Sequence, residues 1–151
     1  MQSCFFRCWL ISWAIAVFLP SALIAGFALA PHGPAITSIT ALPAATWAVA
    51  DEMGPAAKLL LGACLFAAFL LVERSRPTRQ SARIALAIAG ALAAMLVTIA
   101  LLPADWSRGF AIGLGGNRFD PSLLAAYVTG SAAAGLSFAM SVSRCLARLS
   151  G

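Results

Sequence analysis

Residues 84–102 read "IALAIAGALAAMLVTIALL". These nineteen residues carry no charge, and Thr98 has their only polar side chain. As a helix rising about 1.5 Å per residue the run extends roughly 28 Å, close to the thickness of a bilayer's hydrocarbon core. Pro103 halts it. The whole chain is built in the same style. Of its 151 residues 62% are hydrophobic and 10% charged, where a soluble domain carries about 25% charged residues. That leaves too little polar surface to wet a globule of this length. The composition reads as an integral membrane protein forming one domain over 1–151, without room for a second, soluble domain.

Three further apolar runs match the first. Trp9 to Leu29 has 21 residues, about 31 Å as a helix, with Pro20 expected to kink it. Leu59 to Val72 reaches spanning length if its helix begins near Gly54-Pro55, since proline at a first helical position has no N–H to lose. Leu123 to Val142 has a clear start, with Asp120 placed to cap free N–H groups and Pro121 to occupy the first turn. The predicted spans are about 9–29, 55–72, 84–102 and 123–142. The expected fold is an all-α, four-transmembrane-helix bundle with short interfacial segments in the outer loops.

Charge sets the expected orientation. The net charge of +5 does not point to nucleic acid, because the arginines cluster at the ends of apolar runs, where they orient membrane helices. Arg7 precedes the first run. Arg74, Arg76, Arg79 and Arg83 fill the link between the second and third. Arg144 and Arg148 follow the fourth. With four spans these lie on one side, and Lys58, Arg108 and Arg118 on the other, beside Asp51, Glu52, Asp105 and Asp120. The arginine-rich side is expected to be cytoplasmic, with both termini there. A single lysine among the basic residues and abundant alanine point, by composition alone, to a bacterial source, hence to an inner (plasma) membrane.

Residues 36–50, "ITSITALPAATWAVA", are short, rich in threonine and interrupted by Pro43. A fifth span here would put the four-arginine link opposite Arg7. An interfacial or re-entrant segment with Trp47 at the headgroups fits better. The first run also resembles a signal peptide, with Ala28-Leu29-Ala30 as a small-residue site. It is longer than the usual 7–15 residues and Pro31 is a poor context, so a retained span is preferred.

The stretch "GLGGNRFDP", residues 113–121, has the glycines of a phosphate-binding loop. It lacks the lysine and Ser/Thr of such a loop, follows no strand, and falls on the outer side. A structural reading uses nearly every residue. Trp106, Phe110 and Leu114 form one stripe of a short interfacial helix, Gly115 and Gly116 end it, and Asp120-Pro121 start the next. Arg118 is left to meet an anionic group, Asp120 or a lipid phosphate. The link 72–83, "VERSRPTRQSAR", serves orientation first. The alternative is contact with anionic lipid or an acidic partner through Arg74, Arg76, Arg79 and Arg83.

Polar chemistry inside the spans is sparse. No Asp, Glu, Arg or His lies in the four central cores, which excludes the usual proton relays, charge-driven pumps and voltage sensors. His32 is the only histidine, so paired-histidine haem ligation is excluded and no cofactor is expected. A metal site from His32, Asp51 and Glu52 is a minor alternative to the two acids favouring the start of the second span through the helix dipole. Cys4, Cys8, Cys64 and Cys145 do not fall in segments assigned outside the membrane, which argues against a disulfide framework. Cys4 and Cys8 are one turn apart and Cys145 emerges on their side. Three thiolates can hold a soft ion such as Cu(I), but packing is the favoured role, as it is for Cys64.

The clearest positive pattern is small residues at four-residue spacing: Ala22, Gly26 and Ala30, then Gly90 and Ala94, then Ala126, Gly130 and Ala134. Lipid supplies no hydrophobic drive for helices to associate, so close packing through small side chains must do it. "TGSAAAG", residues 129–135, is dense enough to expect a tight contact, with Ser131 and Ser137 available for interhelical hydrogen bonds. Motifs of small four-span transporters, fluoride channels, mercury carriers or membrane enzymes are absent. By elimination the expected role is non-catalytic: an accessory or assembly subunit of a larger membrane complex, partnered by the bilayer and by other membrane subunits or itself. Its working surfaces would be the small-residue faces and the two Trp-bearing outer links. A small oligomeric transporter or channel is the rival reading, lined by Thr98, Tyr127, Ser131 and Ser137. A lipid-active enzyme is third.

Overall fold

A computed structural model describes residues 2–27, 39–75, 77–101 and 121–149. Among them every regular element is helical: α1 (Gln2–Gly26), a single 3-10 turn (Ile39–Ala41), α2 (Leu42–Glu52), α3 (Gly54–Ser75), α4 (Gln80–Leu101) and α5 (Pro121–Leu149). Four of these, α1, α3, α4 and α5, are long and apolar enough to cross a membrane. A helix suits such sequences because it satisfies every backbone polar group within the segment.

The long helices begin and end partly outside the predicted limits. Helix α1 starts before Trp9, and α4 starts at Gln80, because charged and polar residues at the helix ends continue the backbone pattern without entering an apolar interior. Helix α3 begins at Gly54, as the Gly54-Pro55 signal required. Gly54 has a φ of 74°, a conformation that costs an L side chain about 1–2 kcal/mol. It sets the bend between α2 and α3, which follow one another with only Met53 between them.

The 36–50 segment needs a correction. Pro43 does not break a helix; it stands in the first turn of α2, where its missing N–H has no intrahelical partner to lose. Helix α2 has 11 residues, about 16 Å, too short to span. It lies along α1, with Ala45, Val49, Ala50 and the following Met53 buried in the common core. Trp47 stays 66% exposed and stacks on Phe18. Asp51 and Glu52 close α2 and stand immediately before Gly54 opens α3. Asp51 lies 4.0 Å from the Lys58 ammonium.

The long helices run up, down, up and down, with α5 against both α1 and α4, α4 against α3, and α3 closing back on α1. Each neighbouring pair is antiparallel. Cys4 meets Cys145 while Pro20 meets Gly130. Ser143 donates to Gln80 while Gly135 meets Ala87. Trp9 donates to the Gly62 carbonyl and Trp13 to that of Lys58. Consequently Arg7, Arg74, Arg79, Arg83 and Arg144 share one end of the bundle, and Lys58 lies toward the other.

Candidate functional site: the helix seams and the arginine end

The seam between α1 and α5 is set by residues of small cross-section. Along α1 the buried positions recur at four-residue spacing: Cys4, Cys8, Ser12, Ala16, Pro20 and Ile24. Opposite them, Gly130 leaves the space in which the Pro20 ring sits; a Cβ there would collide with the ring. Ala126 and Ala134 are buried on the same helix. The seam between α5 and α4 is tighter still at Gly135, where an added Cβ would stand 2.5 Å from the Ala87 carbonyl oxygen and 2.6 Å from the Ile88 Cα. Here backbone approaches backbone. Gly90 faces α3, 3.3 Å from the Ala68 Cβ by the same construction, and Ala94 is buried nearby.

Helix α1 differs from the sequence expectation. Gly26 is exposed, an added Cβ there would meet only Leu42 Cδ1, at 3.9 Å, and Ala22 is half-buried. Ala30 lies outside the described residues. The packed face of α1 is the Cys8–Ser12–Ala16–Pro20 stripe, which the four-residue spacing rule picks out equally well once cysteine, serine and proline are admitted as small residues. Gly135 belongs to the "TGSAAAG" stretch but falls outside the Ala126–Gly130–Ala134 register.

At the arginine end aromatic rings fill the core. Phe69 and Phe138 are fully buried and stacked at 3.9 Å, and Phe5 meets both Phe66 and Phe138 edge-on. The stacked, half-buried indoles of Trp9 and Trp13 donate to Gly62 and Lys58 carbonyls at 3.1 and 2.9 Å, so each indole N–H has a partner. Gly62 leaves room for the Trp13 ring, which a Cβ would approach to 3.1 Å.

Cys4 and Cys145 form a disulfide, with Cα atoms 6.1 Å apart. This corrects the expectation that the cysteines serve packing alone. Sequence order hides the pairing, since 141 residues separate them; the antiparallel α1–α5 contact creates it. Two of the three candidate soft-metal thiols are thereby consumed. Cys8 remains free and buried, and Cys64 free and half-buried. Among the described residues no group of three His, Cys, Asp or Glu side chains is arranged to hold a metal.

Buried hydroxyls turn back on their own helices. Ser21, Thr98 and Ser131 donate to the carbonyls of Val17, Ala94 and Tyr127, each four residues earlier, a common arrangement in apolar helices. Ser12 Oγ and Tyr127 Oη are buried without a hydrogen-bond partner among the described residues. Glu52 lies beyond the long helices, and burial pushes its carboxyl above the usual carboxylate range.

At the arginine link Arg74 and Arg79 are exposed, and Arg83 faces Glu73 at 3.8 Å. The positions of Arg76, His32, Arg108, Arg118, the 28–30 cleavage motif, the Trp106 stripe and the glycine stretch 113–120 lie outside the described residues. No protein-family model matches the chain, and neither curated proteins nor solved structures match it.

Proposed function

We propose that the chain is a four-span integral protein of a bacterial inner membrane, with both termini in the cytoplasm, working as a non-catalytic accessory or assembly subunit of a larger membrane complex. The observation that carries this reading is the division between interior and surface. Inside, small residues and stacked rings fill the core, and the hydroxyls of Ser21, Thr98 and Ser131 are spent on their own helices. Outside, each long helix presents large apolar side chains, among them Ile11, Leu59, Leu71, Leu101 and Leu136. Such a surface suits lipid or another protein's helices. The clustering of Arg7, Arg74, Arg79, Arg83 and Arg144 at one end supports the orientation; the Cys4–Cys145 disulfide at the same end opposes it, because cytosolic thiols are kept reduced.

A small oligomeric transporter or channel is the second reading. The unpartnered, buried Tyr127 Oη is the observation that favours it, because an unsatisfied hydroxyl is a natural contact for a polar solute. Against it, Thr98 and Ser131 have their donors engaged.

Solubilising the membrane gently and measuring the mass and composition of the complex separates the two. Unlike subunits at fixed stoichiometry are expected for an accessory protein. A pure homo-oligomer would overturn that role in favour of a pore.

A further inference from the structure

An open groove of about 580 Å³ runs between α3 and α4, within the size range of small-molecule sites, about 300–1,000 Å³. It exists because the facing side chains are small: Ala67 and Ala68 on one wall, Ala89, Gly90 and Ala93 on the other. Its lining is almost wholly apolar. The hydroxyl it contains, on Ser75, is donated to the Val72 carbonyl. Ser75 ends α3 beside Arg74, and the short link from there carries Arg79 to the start of α4. Three described arginines, Arg74, Arg79 and Arg83, therefore stand at this end of the groove against one acid, Glu73. Arg83 and Glu73 offset each other, which leaves the exposed Arg74 and Arg79 as the cations available to a ligand.

A second groove of about 600 Å³, lined by Ala14, Phe18, Ala22, Thr46 and Ala133 among others, is equally apolar, and neither groove has a basic residue in its lining. Any acyl chain could lie in either. They differ in what stands next to them: the first reaches Ser75, the last residue of α3, next to Arg74, whereas the second is lined by mid-helix residues.

We propose that the α3–α4 groove and the arginines at its end form a binding site for an anionic phospholipid. The acyl chain lies against Ala68, Gly90 and Ala93, and the phosphate meets Arg74 and Arg79. Guanidinium is the side chain best matched to phosphate, through paired N–H donors in one plane. The free N–H groups of the first turn of α4, which has no acidic residue, reinforce the attraction. The site rests on the chain being membrane-embedded and is independent of whether it serves as an accessory subunit or a pore.

The test uses the purified full-length chain and native mass spectrometry after equilibration with phosphatidylglycerol or phosphatidylcholine of identical acyl chains. Preferential retention of phosphatidylglycerol is expected. The Arg74→Gln/Arg79→Gln double variant should lower that preference on the order of tenfold, as loss of two surface arginines implies, and reduce phosphatidylcholine retention less, because choline already offsets the charge of the same phosphate. Ala93→Phe, which fills the exposed groove, should reduce retention of both lipids. Intact Cys4–Cys145 pairing and an unchanged melting temperature verify the fold of each variant; Ala89→Phe replaces Ala93→Phe if the latter fails that check. Equal retention of the two lipids by the native chain would overturn the site and leave the arginines to an acidic protein partner. Full phosphatidylglycerol retention by the groove-filled variant would overturn it too. Recovery of the chain in the carbonate-washed membrane pellet checks membrane embedding separately.

Discussion

The pyrrolidine ring of Pro20 in α1 occupies the space that Gly130 in α5 leaves by having no Cβ. Two residues that usually weaken helices thus define the crossing of the first and last helices. Gly130→Leu should push α1 and α5 apart, and overpacking of this kind costs about 1–3 kcal/mol. A lowered melting temperature in detergent is the expected reading, and an unchanged one would remove this crossing from the account.

Gly135 offers a finer comparison. Its missing Cβ is replaced by α4 backbone, the Ala87 carbonyl and the Ile88 Cα, which cannot rotate aside. Gly26 faces only Leu42 Cδ1 at ordinary contact distance. Gly135→Ala should therefore destabilise the bundle, while Gly26→Ala should be neutral or slightly stabilising through helix propensity, about 1 kcal/mol at most. Equal melting temperatures for the two variants would contradict the α4–α5 seam.

Cys4 and Cys145 tie the first helix to the last, and the arginine link lies between α3 and α4. Trypsin cutting after Arg79 should yield two fragments that migrate together without reductant and separate with it. A Cys4→Ser variant should give separate fragments in both conditions. Separation of the native fragments without reductant, with Arg7 and Arg144 uncut by mass, would show that the thiols are not joined in the isolated protein.

Glu52 predicts a pH dependence. Burial raises its carboxyl above the usual range, so the folded value exceeds the unfolded one, about 4.3. Folding then favours the protonated form. The benefit is complete below the unfolded value and disappears as pH rises through the folded value. The native chain should lose stability on going from about pH 4 upward through the mildly acidic range, and Glu52→Gln should flatten that part of the curve. Identical profiles for the two proteins would argue against burial of the charge.

Orientation is open to a direct measurement. In an otherwise cysteine-free chain, an impermeant thiol reagent applied to spheroplasts should label Asn117→Cys and spare Gln80→Cys. The reverse pattern would turn the bundle over and place the glycine stretch 113–121 in the nucleotide-bearing compartment. Labelling at both positions would mean that α4, which lies between them, does not cross.

The long helices were legible because membrane-spanning capacity is a sum over consecutive residues. Ile84 to Leu102 needs no partner to be recognised, and Gly54-Pro55 and Pro121 mark helix starts by local backbone chemistry alone. Parity of the arginine clusters around four runs also places both ends of the chain and the α3–α4 link at one end of the bundle. Helix faces are another matter. In sequences this rich in alanine, small residues fall on every side, so Ala22–Gly26 and Cys8–Ser12–Ala16–Pro20 are equivalent as patterns. What separates them is where the partner lies: Gly130 comes to Pro20, and Leu42 merely brushes Gly26. The same holds for Cys4 and Cys145, joined across 141 positions, for the indole hydrogen bonds from Trp9 and Trp13 to α3, and for the docking of α2 along α1. Hydrophobicity and backbone propensity are properties of a segment and can be read locally; contacts are properties of pairs, and only the packed bundle brings the pairs together.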